Sequence, residues 1–119
     1  MVDAKFVHGT PHVQMMDYTP SSAVTGGSVV VVGDRPLIAH RDIAADEQGA
    51  LAAGGGVYEV MAGEAIAAGK LVYWDDTNKK VIETKSTNTT FGYMEADSSA
   101  SADEDMVRVH HVPGLDLIA

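Results

Sequence analysis

A phosphate-binding loop would be sought first at Gly69-Lys70. Such a loop needs glycine, four residues, then Gly-Lys-Ser/Thr, because its backbone amides cradle phosphate and the hydroxyl binds magnesium. Here the first-glycine position is Glu64, with Gly63 one residue early, and the Ser/Thr position is Leu71. Val72-Tyr73-Trp74 then reads as strand, so no helix N-terminus follows to hold an anion. The pattern argues against nucleotide chemistry.

Metal and nucleophile chemistry fare no better. Of the five histidines, His8 and His12 would share a face only on a helix, which Gly9 and Pro11 oppose, and His110 and His111 point to opposite faces of a strand. Neither pair has the spacing or carboxylate context of a zinc site, and scattered surface histidines are the expectation. Asp75-Asp76 and Asp103-Glu104-Asp105 offer oxygen ligands to a hard cation but lack the spaced carboxylates and glycine of an EF-hand. They read as solvated turn residues. Ser21, Ser22, Ser28 and Ser86 have no nucleophile elbow around them. No catalytic, cofactor or metal residue is assigned, and the chain reads as a non-enzyme.

Composition narrows the classes further. Eight Lys plus Arg against 17 Asp plus Glu give a formal charge of -9, with the cations scattered. Nucleic acid and anionic membranes both demand clustered cations, so neither is an expected partner. There is no cysteine. The opening residues carry no apolar signal core, and no stretch approaches a membrane-spanning length, so the expectation is a soluble, unsecreted chain. At 119 residues one domain is expected. Much of its apolar content is Ala and Val, which remove little surface each, so association is expected to add stability. A monomer of this mass exposes roughly 6,200 Å², of which a standard interface covers about 800 Å² per partner.

The elements that would carry any site are strands. Val29 to Val32 ends at Gly33-Asp34-Arg35-Pro36 and resumes at Leu37-Ile38-Ala39, two short strands around a turn. Val57 to Val60, Leu71 to Trp74, Thr90 to Met94 and Met106 to His110 read likewise, and Trp74 to Ile82 reads as a hairpin with a polar tip. Val13 to Tyr18 forms a further short strand within residues 1–22, an extended N-terminal arm before a single β domain at 23–119. Only Ala44 to Ala53 suggests a helical turn. The expected fold is mainly β with little helix: a small antiparallel barrel, sandwich or clip-like roll.

One pattern recurs. Ile43 to Leu51 and Ile66 to Leu71 share an apolar-Ala-Ala start, then a glycine, Gly49 and Gly69, then a return to apolar strand, and Val24-Thr25-Gly26-Gly27-Ser28-Val29 is a looser version. The apolar residue would anchor each turn while glycine permits a positive φ.

The order of these pieces resembles the small capsid cement, or decoration, proteins of tailed bacteriophages. The resemblance runs through Lys5-Phe6-Val7, Asp17-Tyr18-Thr19-Pro20, Gly27 to Gly33, Ile43 to Leu51, Ala65 to Asp75, Gly92-Tyr93 and Val107-Arg108-Val109. Pro11-His12 departs from that family's usual pattern. Members have at times been labelled RecA-like recombinases, a label the failed phosphate loop does not support. The resemblance implies a homotrimer of clip or tulip-like β fold. It would lie on the capsid exterior, be soluble in the host cytoplasm before assembly, and bind the major capsid protein at local three-fold positions after expansion. It would need no cofactor, and its arm, through Lys5, Phe6, Val7, Tyr18 and Pro20, is the expected capsid contact. A rival reading is a surface-displayed host- or glycan-binding module in which Tyr58, Tyr73, Trp74 and Tyr93 offer stacking faces.

Overall fold

Stiff β-branched and aromatic side chains pack best on a pleated surface, and strands form where this chain gathers them. A computed structural model describes residues 3–8, 14–33, 35–84 and 88–113. Among them lie β1 (Ala4–His8), β2 (Gln14–Tyr18), β3 (Val29–Val32), β4 (Arg35–Ala39), β5 (Gly49–Gly54), β6 (Val57–Met61), β7 (Leu71–Asp75), β8 (Lys80–Ile82), β9 (Thr89–Met94) and β10 (Met106–His111). All ladders are antiparallel. They build a six-stranded sheet ordered β1-β6-β10-β9-β7-β8 and a four-stranded sheet ordered β2-β5-β4-β3.

Of the expected barrel, sandwich or roll, a closed barrel does not form. The larger sheet curls until Ala62, just past β6, makes one parallel bridge with Val81 of β8. β6 already carries β1 on one edge and β10 on the other, so β8 finds no edge along which to ladder. The sheets pack on each other instead, joining Val29, Ile38 and Ala52 of the smaller to Tyr58, Val60, Trp74 and Phe91 of the larger in one core. A second cluster, Leu37, Ala39, Ile43 and Leu51, fills the opposite face of the smaller sheet.

Two buried faces explain the composition of β5. The helical turn expected over Ala44 to Ala53 is a turn followed by this strand, whose Leu51 and Ala52 are fully buried toward opposite clusters. Alanine's helical preference yields to packing from both sides. Gly49 has no room for more, since a Cβ there would lie 2.8 Å from the Ile43 side chain.

The recurrent turns share one geometry. Ser28, Glu47 and Lys70 each donate a backbone N–H to the carbonyl three residues back, on Thr25, Ala44 and Ala67. The third residue of each has positive φ: Gly27 at 91°, Asp46 at 64° and Gly69 at 77°. The preceding apolar residues are pinned by bridges, Val24 to Ile43 and Ile66 to Ala100. A fourth such turn, Ala102 to Asp105 with Glu104 at 73°, had no sequence signal. Gly69-Lys70 therefore feeds a strand, β7.

A bulge sets the aromatic core. β7 pairs Val72 with Gly92 and Tyr73 with Thr90, leaving Phe91 as an extra residue whose ring packs against Trp74 and His111. Next to it, a Cβ on Gly92 would fall 1.7 Å from the His110 carbonyl oxygen. Backbone cannot give way there as a side chain would, so Gly92→Ala is expected to cost about 3 kcal/mol or more. Urea unfolding measures this, and an unchanged midpoint would contradict the close approach.

Candidate functional site

Residues 1–22, expected as an arm, supply the outermost strand of each sheet at one end: β1 in the larger, β2 in the smaller. Within them the expected contact residues divide. Lys5 is exposed beside Glu59, and Phe6 is 43% exposed. Val7 is half-buried where the β1 register shifts. Tyr18 is half-buried against the second cluster, and Pro20 is buried, its carbonyl accepting the Asp46 N–H at 2.7 Å. Phe6 and Lys5 thus face outward, while Tyr18 and Pro20 anchor the segment.

Behind Phe6 a file of rings runs into the core. Phe6 lies 5.3 Å from both His40 and Tyr58, Tyr58 meets His111 edge-on at 5.6 Å, and His111 lies 5.0 Å from Phe91. The Tyr58 hydroxyl shares a hydrogen bond with His40 Nε2. Burial pushes the Tyr58 hydroxyl pKa up and the His40 pKa down, which favours the neutral form of each.

His111 corrects the expectation of surface histidines. Alternation along β10 turns it inward with Val107 and Val109, and it is fully buried. His111 Nε2 lies 2.7 Å from the Pro36 carbonyl oxygen of the other sheet. That oxygen can only accept, so the proton is assigned to Nε2. Nδ1 is then a buried acceptor without a partner among the described residues. Burial lowers the His111 pKa from 6.5 to about 4, with the Pro36 bond opposing the shift.

The folded pKa lies below the unfolded one, so the unfolded chain takes up a proton first as pH falls. His111 therefore favours folding fully above pH 6.5 and loses that contribution between 6.5 and about 4, at no more than about 1.4 kcal/mol per pH unit. In His111→Gln, which keeps an N–H for Pro36 and does not titrate there, this part of the pH dependence is expected to vanish. Parallel stability curves for the two proteins would refute it.

Outside the core, several exposed apolar side chains lie on the edge strands. Met15 is 50% and Met16 41% exposed, and Gln14 to Asp17 are exposed on both faces of β2. A cleft of about 560 Å³ runs beside β2, lined in part by Met15, Asp17, His40, Asp42 and Glu47. On the larger sheet Tyr93 stacks on His110 at 4.8 Å. The sugar-stacking set is corrected, because Tyr58 and Trp74 are core residues with no free face.

The acidic groups are engaged in turns. The Asp75 carboxylate accepts from the Asn78 side chain and from the Thr77 and Asn78 N–H groups, bonds that hold its pKa below the usual range. Asp105 accepts from Ser101 and Ala102 in the same manner. The His8 side chain, His12, Pro11 and Ser86 lie outside the described residues.

Sequence reading missed two features. Met15-Met16 was taken as an ordinary strand, although two adjacent methionines leave one exposed on each face. His111 was legible from the alternation that buries Val107 and Val109. Comparison with family models finds a match over residues 10–111 to one described as phage cement protein. That span takes in β2 to β10 and leaves β1 outside. No curated protein and no solved structure matches the chain.

Proposed function

Because the chain belongs to the phage cement protein family, we propose that it decorates the outside of the expanded capsid and stabilises the shell by adhesion. Family membership is the observation that carries this reading. The molecule binds as a homotrimer to the major capsid protein, and each copy buries surface against its mates and against neighbouring capsid subunits. No covalent step is involved. Its accessible surface of 6463 Å² leaves room for several contacts of about 800 Å².

The contact surface in this reading is the pair of edge strands from residues 1–22. Phe6 and Met15 present partly exposed apolar side chains on a rigid support, the form that binding hot spots take. Linking three copies raises the effective concentration of each further contact, so modest single contacts add up to tight binding.

Sedimentation with expanded empty shells tests the proposal. The free protein is expected at trimer mass, and it is expected to pellet with the shells. A monomer that stays in the supernatant would overturn the reading. Replacing both Phe6 and Met15 by Ala is expected to weaken shell binding about thirtyfold, with the folded state confirmed by urea unfolding.

A further inference from the structure

Among the described residues β2 is the least protected sheet edge. Natural sheets blunt their edges with short strands, charge, proline or cover. β8 has three residues and β3 four, and the start of β1 is held by Gly27, whose carbonyl accepts the N–H groups of Asp3 and Ala4. β2 has five residues, and among the described residues no strand lies beyond it. Its neighbour β5 sets its two faces by register. Met15 and Asp17 share the face of Ala52 and Ala50, while Met16 and Tyr18 share that of Leu51. Tyr18 and Leu51 belong to the second cluster, so the Met16 face continues an apolar surface outward.

Charge on the other face is one-sided. Asp17, Asp42 and Glu47 line the adjoining cleft against the single arginine Arg41, and partial burial lowers the pKa of the other candidate cation there, His40. We propose that the outer edge of β2 takes up an extended segment of a capsid subunit whose side chains alternate basic and apolar. Its Lys or Arg side chains fall on the Asp17 face, and its apolar side chains cover Met16. Backbone hydrogen bonds supply affinity, and the alternation supplies register and specificity. Methionine suits the task, because its flexible thioether adapts to the partner's shape. A second copy of this chain fits poorly. A two-fold contact would press the same carboxylates on each other in a chain of charge -9.

The identity of the partner rests on the capsid reading, whereas the chemistry of the edge does not. Fluorescence anisotropy with synthetic peptides separates the two. The probes are an alternating Lys-Val octapeptide, its Glu-Val counterpart, and the Lys-Val peptide N-methylated on alternate amides. The first is expected to bind, to weaken as salt rises, and to bind at least about tenfold more tightly than the other two. The double variant D17N/E47Q is expected to lose about tenfold in affinity for it. Equal binding of the Glu-Val or N-methylated peptide would overturn the proposal, as would indifference to D17N/E47Q. So would a dimer that the peptide dissolves, which assigns the edge to a second copy. Expanded shells form the second arm. Wild-type protein that binds shells while D17N/E47Q does not supports the proposal. Equal shell binding by both overturns it and leaves the capsid reading standing. Peptide selectivity without any shell binding counts against the capsid reading, and the preference of the edge for a basic strand then stands.

Discussion

The hydrogen bond from His111 to the Pro36 carbonyl joins the two sheets within their buried core, and much of the structure is arranged around it. His111 sits between Tyr58 and Phe91. The Phe91 bulge and the close passage of Gly92 under His110 both serve to bring that ring into place. An imidazole at this position costs desolvation, and among the described residues it leaves Nδ1 unsatisfied. In return it gives the small interface between a six-stranded and a four-stranded sheet a directional contact that apolar packing alone does not supply.

From that point a line of rings leads outward through Tyr58 and His40 to Phe6 on β1. The exposed edge is therefore backed by the buried aromatic core, and Phe6 is presented on a rigid base. A surface intended for adhesion gains from such support, since ordering mobile side chains on contact would subtract from affinity. The acidic surface has a complementary role. Carboxylates at Asp75 and Asp105 are used internally to close turns, whereas Asp17 and Glu47 remain outward beside β2.

Much of the fold was legible in the sequence because β-branched runs and turn residues signal locally. Eight of the strands were read at or near their positions from patterns such as Val29 to Val32 and Leu71 to Trp74. β5 was not, because its Gly-Ala-Leu-Ala-Ala-Gly composition reflects burial from both sides, a tertiary fact with no local pattern. β1 was read as arm, since Lys-Phe-Val gains its strand character only by pairing with β6. Barrel closure failed for the same kind of reason: which strand takes the second edge of β6 is decided by a segment far away in sequence. The recurrent Ile-Ala-Ala turns were recognised, but the first reverses at Asp46 and not at the expected Gly49, a short polar residue standing in for glycine at positive φ. As to the site, the family order pointed to residues 1–22, but only the register shows that Phe6 and Met15 are offered outward while Tyr18 and Pro20 are held within.

Hydrogen exchange on the protein bound to expanded shells tests the central claim, that the edges formed by residues 1–22 carry the adhesion, most directly. The outward-facing backbone amides of β1 and β2 are expected to exchange quickly in the free protein, as unpaired edge groups do, and to become protected on the shell. The β7–β8 hairpin, on the far edge of the larger sheet, is expected to be unchanged. Protection confined to β7–β8, with β1 and β2 exchanging as before, would contradict the account.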